Sequence, residues 1–264
     1  MQNRKDHAKE FCAKVRALSI LVSKLKKRHE SRETGAQTVS VLDQLRVFFR
    51  RTEVWHEQGP KDLARASNST TAADRRRHAK AVGAVLVPVF EREGTVHVLY
   101  TRRAHHLVSH RGEVAFPGGK FDPADRSLLD TALRETTEEI GLERDAVEVL
   151  GQLPFAEVSR SGVAVTPYAG VVRSLDSLRP SPHEVAEVFS VPLEALRDPA
   201  RRVPYRYPHA DGTSTAYPGI EYNGRIIWGL TLRITITLLE CVERAEALYH
   251  SGGQAAFRRG SQPS

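Results

Sequence analysis

The sequence predicts an α/β fold: a mixed sheet between helices, with a basic helical extension at its N-terminus. Three observations lead there. Apolar, strand-like runs start abruptly at Ala81; helical periodicity follows Ser127 and returns near the C-terminus; and positive charge is concentrated before residue 80. A chain of 264 residues with 40% hydrophobic content is long enough for one large domain and an extension. The overall charge of +7 is uneven. Residues 1–80 carry 19 Lys and Arg against 9 Asp and Glu, a balance of +10, which leaves −3 for the remainder. The basic character therefore belongs to the N-terminal region, and overall charge gives no reason to expect a nucleic-acid partner.

Residues 8–28 read as a helix, with Phe11, Val15, Leu18, Val22 and Leu25 forming one apolar stripe among lysines and arginines. This helix is expected to pack on its own domain or on a second copy, making a homodimer, with a membrane surface or nucleic acid as the alternatives. Residues 29–40 form a polar linker, and a short helix is expected from Val41 to Phe49. Residues 56–80 read as loop, with Arg75-Arg76-Arg77 as a solvated face or an attractor for an anionic substrate. Strands are expected at 81–89 and 96–101, separated by a turn at Glu93-Gly94, and again at 146–153 and 163–173. A short helix is placed near 192–197, a hairpin turn at Tyr222-Asn223-Gly224-Arg225, and a last helix from about Thr231 to Tyr249. The expected division is a basic extension (1–40), a helix and linker (41–80), the main domain (81–250) and a tail (251–264).

No apolar run approaches the roughly 18 residues that a membrane-spanning helix needs. The first residues lack the apolar core of a signal peptide, and Asp6 and Glu10 are unlike a transit peptide, so a cytoplasmic location is expected. Cys12 and Cys241 have no metal-type spacing and read as buried or free thiols in a reducing compartment.

The chemistry is concentrated on one helix. Between Ser127 and Gly141, Leu128, Leu129, Ala132 and Leu133 supply a buried side. Glu135, Glu138 and Glu139 are one, three or four residues apart and are therefore neighbours on the helix surface. Three close carboxylates repel one another unless a cation sits among them, and an oxygen-only donor set suits Mg²⁺ or Mn²⁺. Arg134 is placed to pair with one of them. Upstream, Phe116-Pro117-Gly118-Gly119 allows a backbone to approach a ligand closely.

This pattern resembles the Nudix box, Gly-x5-Glu-x7-Arg-Glu-apolar-x-Glu-Glu-x-Gly-apolar. The resemblance implies a Nudix-type α-β-α sandwich and hydrolysis of a nucleoside diphosphate linked to another group. It assigns Glu135, Glu138 and Glu139 to the metal, with these three and Arg134 as the catalytic set. Two positions depart from the pattern. Fifteen steps separate Gly119 from Arg134, where the general box has fourteen, so the first box glutamate falls on Arg126, with Asp125 or Asp122 as possible substitutes. Thr136 occupies a usually apolar position.

The stretch from Leu99 to Gly119 is similar to the upstream signature of Nudix coenzyme A pyrophosphatases, which carry the same lengthened box. Leu99, Thr101, Arg103, Ala104, Gly112 and Phe116-Pro117-Gly118-Gly119 fit, whereas Val108 stands where that family has a basic residue. The likeness continues through Pro182–Phe189 and Ile227–Thr231. It implies hydrolysis of coenzyme A to 4′-phosphopantetheine and adenosine 3′,5′-bisphosphate. ADP-ribose, NADH or a non-catalytic binding role remain the alternatives. Arg102, Arg103, His110, Gly118 and Gly119 are the expected substrate contacts, the arginines because guanidinium groups pair bidentately with phosphate. Trp228 reads as core, and Glu184 and Glu187 as a surface helix or loop pair, with a distal base as the alternative.

Overall fold

The computed structural model describes residues 39–51, 81–107, 109–155, 157–159, 162–209 and 211–253. The basic helix expected over 8–28, the linker up to residue 38, the Arg75–Arg77 triplet, Cys12, Val108 and most of the tail lie outside the described residues.

Strand β1 (Ala81–Arg92) organises the sheet. Its run of Val, Leu and Ala is buried nearly throughout, as expected of a strand covered on both faces. One edge pairs in parallel with β7 (Val163–Val172), from Ala81 opposite Val163 to Val89 opposite Val171. The other edge is shared. Its later half pairs antiparallel with β2 (Thr95–Arg103), and its first half pairs with β4 (Gly118–Lys120). The short β3 (Val114–Ala115) lies on the far part of β2. The 114–120 segment thus leaves β2 and joins β1, opening a fork in the sheet. Strand β5 (Val147–Gln152) and β6 (Glu157–Val158) pair with β7, and β8 (Val185–Pro192) pairs along β2, making eight strands among the described residues. A separate three-stranded sheet is built from β9 (Arg202–Pro208), β10 (Ser214–Tyr222) and β11 (Arg225–Trp228).

Helix α1 (Val41–Arg51) belongs to the same core as the sheet. Leu42, Leu45 and Phe49 are buried there, each contributing roughly 1.5–3 kcal/mol relative to exposure. Arg46 clamps it to β5 through both carboxylate oxygens of Glu148, at 2.9–3.1 Å. Helix α2 (Leu128–Ile140) covers one side of β1 through Leu128, Ala132, Leu133 and Ile140. The short α3 (Leu193–Arg197) and the long α4 (Gly229–Leu248) complete the helical layers. No helix among the described residues is long and apolar enough to cross a membrane.

Among the described residues, the expected helices and strands occur within a few residues of their predicted ends. The last helix begins earlier, at Gly229, because a glycine with φ 62° follows the hairpin and redirects the chain. Strands β8, β9 and β10 were not legible. Glu187 lies on β8 and Glu184 in the turn before it, in place of the expected surface helix or loop pair.

Candidate active site

Helix α2 is fixed at both ends by its own sequence. Ser127 is the N-cap, its Oγ accepting from the Asp130 N–H at 3.1 Å. Gly141 adopts the left-handed conformation (φ 69°) and its N–H closes on the Thr137 carbonyl. Between these caps the buried stripe runs Leu128, Ala132, Thr136, Glu139. Thr136 tolerates full burial because its hydroxyl bonds the Ala132 carbonyl at 2.6 Å. Glu139, three residues beyond Thr136, is on the same inward face.

The three glutamates are therefore not equivalent. Their side chains are 6%, 20% and 56% exposed for Glu139, Glu135 and Glu138 in turn. Glu139 Oε2 accepts from the Gly118 backbone N–H at 3.2 Å, and its Oε1 lies 3.6 Å from the Arg103 guanidinium. Burial is the main cause that pushes its carboxyl up to about 7; the Gly118 and Arg103 contacts oppose this, and the neighbouring charges of Glu184 and Glu135 add to it. Glu135 is also raised, chiefly by burial, against the pull of Arg134.

Gly118 and Gly119 bring the fork against these carboxylates. At Gly118, φ is 148°, and a Cβ would lie 2.3 Å from the Ala84 carbonyl oxygen. A Cβ on Gly119 would lie 2.3 Å from the Glu135 carboxyl carbon. Both positions thus require glycine for close approach, one to the sheet and one to the helix.

Arg134 is the hub. Its Nε and one terminal nitrogen grip the two oxygens of Asp125 at 2.8 and 3.0 Å. Its other terminal nitrogen donates to Glu135 and Glu138, each at 3.0 Å. Asp125 also accepts from the Thr131 hydroxyl and the Asp122 N–H, and these donors, led by Arg134, pull its carboxyl down to about 2. Of the two aspartates weighed for the lengthened box, Asp125 is the one whose carboxylate pairs with Arg134. Arg126, which falls on the counted position, instead turns outward to Asp130. The extra residue lets the loop before α2 return its carboxylate one position earlier.

The two arginines of β2 part company, as neighbours on a strand must. Arg103 is directed to Glu139, whereas Arg102 lies 3.5 Å from Glu187, which also holds Arg225 of β11. His110 sits exposed in the loop, at φ 56°, with its Nδ1 2.9 Å from Glu113. His105 packs over Gly112, and His106 hydrogen-bonds the His183 carbonyl oxygen. Trp228 is buried among Tyr205, Tyr207 and Tyr217, as core.

Among the described residues, no three Asp, Glu, His or Cys side chains have their ligating atoms gathered into a finished cation cage. Glu135 and Glu138 are turned to Arg134, and Glu139 to Gly118. The donor set nevertheless fits a hard divalent cation. It is all oxygen, and it holds two carboxylates above their ordinary pKa by burial and mutual repulsion, which a cation would relieve.

A NUDIX domain matches residues 80–210. A protein of Yersinia enterocolitica described as an uncharacterized Nudix hydrolase, NudL, is 43% identical over 160 residues, covering 60% of this chain and 80% of the relative. A NudL of Yersinia pestis is 39% identical over 191 residues, covering 72% and 90%. Among solved structures, a MutT/nudix family protein from Enterococcus faecalis overlays with a TM-score of 0.43 at 16% identity, over 82% of this chain and 81% of that one. The helix with its three glutamates, the extent of the domain match and the identity to the NudL proteins lead to one conclusion: this chain belongs to the Nudix hydrolase family.

Proposed function

We propose that this enzyme hydrolyses the diphosphate linkage of coenzyme A or a short acyl-coenzyme A, giving 4′-phosphopantetheine, or its acyl form, and adenosine 3′,5′-bisphosphate. The observation that carries the reading is the way the Arg103–Gly119 stretch closes on α2: Arg103 and the Gly118 N–H meet the two oxygens of one buried glutamate. The residues that resemble the coenzyme A pyrophosphatase signature are thus gathered at the acidic helix.

Glu135, Glu138 and Glu139 are the residues to hold Mg²⁺ or Mn²⁺. The bound ion would polarise phosphoryl oxygens, acidify a water and stabilise the leaving phosphate. Arg134 keeps Glu135 and Glu138 in place while its own position is fixed by Asp125. Arg103 is the guanidinium available to a phosphoryl oxygen, and Gly118 and Gly119 let the fork close against the sheet and against Glu135, which sets the backbone edge the diphosphate would meet. Arg102, held by Glu187, orients the strand from its other face, and His110 belongs to the rim of the loop.

The test is product analysis on coenzyme A, dephospho-coenzyme A, acetyl-coenzyme A, ADP-ribose and NADH, each with Mg²⁺ and with Mn²⁺. The expected outcome is metal-stimulated release of adenosine 3′,5′-bisphosphate from the coenzyme A compounds. Preferred turnover of ADP-ribose or NADH would overturn the substrate, and no metal-stimulated hydrolysis anywhere would favour a binding role.

A further inference from the structure

The pairing of β8 with β2 runs from Pro192 opposite His97 to Glu187 opposite Arg102 without a break. Proline has no N–H, so Pro192 and His97 form a pair that exchanges no hydrogen bonds. The alternation of an antiparallel ladder fixes the rest. Val191, Phe189 and Glu187 bond to β2, whereas the N–H and C=O groups of Ser190 and Val188 point away from it. Strand β8 closes the sheet on this side, and among the described residues these outward groups have no hydrogen-bond partner. Two other edge strands carry features that prevent strand pairing. On β9, Pro204 stands opposite Pro218 and Pro208 opposite Ser214, so by the same reasoning both proline nitrogens face outward and leave gaps in the row of donors. Strand β5 is interrupted by a register shift between Val149 and Gly151. Between Glu187 and Val191, β8 has neither a proline nor a shift, and its Val188 and Phe189 are partly exposed.

Such an edge is a template for another strand, and this one is complementary to itself. About a twofold axis at Phe189, Val188 faces the partner's Ser190 and Ser190 faces the partner's Val188. Both pairs have their N–H and C=O groups turned towards the seam, so four backbone hydrogen bonds form. Charge permits the same register. Glu187 is the one charged residue from 186 to 192; it falls opposite the partner's Val191 and is already held by Arg225 and Arg102. No like charges meet across the seam. We infer that the outer edge of β8 docks a second copy of this chain, antiparallel, through Val188 and Ser190, joining the two main sheets into one.

Sedimentation velocity of the full chain, from about 1 to about 200 μM, tests this with the wild type, Ser190→Pro, Ser190→Ala and Arg206→Pro. The wild type is expected to pass from monomer to dimer within that range, as a small interface allows. Ser190→Pro removes an outward N–H and no bond to β2, so the fold should persist while dimerisation weakens at least roughly tenfold. Ser190→Ala keeps the N–H and should dimerise as the wild type does. Arg206→Pro, at an outward position of β9, should also leave the dimer intact. Amide hydrogen exchange of the wild type gives a reading free of any folding defect: the Val188 and Ser190 amides should become protected as concentration rises. A wild type that stays monomeric throughout the range would overturn the inference. So would a dimer that Ser190→Pro leaves unchanged, or fast exchange of both amides at every concentration. None of these results bears on the proposed hydrolysis.

Discussion

Asp125→Asn tests the structural account of the lengthened box most directly. The Asp125 side chain is 5% exposed and takes two hydrogen bonds from the guanidinium of Arg134. The fall of its pKa from 3.8 to about 2 corresponds to roughly 2 kcal/mol of preferential stabilisation of the folded, ionised form. The sign follows from a lowered value: this stability is complete above 3.8 and is lost as pH falls through about 2. The asparagine variant should therefore be less stable by about 2 kcal/mol, equally at pH 5 and pH 8, which for a domain of this size is a drop of about 4–8 °C in melting temperature. Urea unfolding followed by tryptophan fluorescence measures the difference. Turnover should fall by roughly 10- to 100-fold, because Arg134 would no longer hold Glu135 and Glu138 at fixed positions. Arg126→Ala, at an 83% exposed side chain, should stay within about 0.5 kcal/mol of the wild type. A larger penalty for Arg126→Ala than for Asp125→Asn would refute the assignment of Asp125 as the partner of Arg134.

Glu139→Gln should lower metal-dependent turnover by more than about 100-fold while the fold persists. Its pKa of about 7 against the ordinary 4.5 means that stability tied to its neutral form is complete below 4.5 and lost as pH rises through about 7; in EDTA the variant should gain stability over the wild type at pH 8 and not at pH 4, as read by urea titration at both values. Gly119→Ala should fold but turn over slowly, because the new Cβ displaces the flexible end of Glu135, whereas Gly118→Ala should lose melting temperature as well, since its Cβ meets the Ala84 backbone; melting and turnover measured side by side distinguish the two. Arg103→Ala should reduce kcat/KM for the diphosphate substrate by at least about tenfold, while Arg102→Ala, which leaves Glu187 with Arg225 alone, should act on stability with a smaller kinetic effect; steady-state kinetics and melting on the same preparations check this.

The acidic helix was legible in the sequence because its information is local. The spacing of Glu135, Glu138 and Glu139, the Ser127 cap, the Gly141 stop and the apolar stripe all lie within one helix and obey one period. Strands β1, β2, β5 and β7 were legible for a similar reason: they are long and apolar between turn residues. Strands β9 and β10 were not, because they form a small, partly exposed sheet whose alternation is broken by Pro204, Pro208 and Pro218. Glu187 was misplaced because β8, apart from Val185 and Val191, is only partly covered and lacks a strong apolar run.

What the sequence determined by itself was the family chemistry: oxygen donors at helical spacing beside a glycine turn. Only the tertiary structure decided how those donors differ. Glu139 is buried because the stripe through Ala132 and Thr136 turns it towards the fork, and Glu138 is left outside. Counting residues along the box points to Arg126, but the loop before the helix brings back Asp125, because a guanidinium is satisfied by whichever carboxylate reaches it in space. Arg102 and Arg103 are adjacent in the chain and opposed in the sheet, one turned to Glu187 and the other to Glu139. Helical spacing is a property of neighbours in sequence; burial and electrostatic coupling depend on distances that only the folded chain sets.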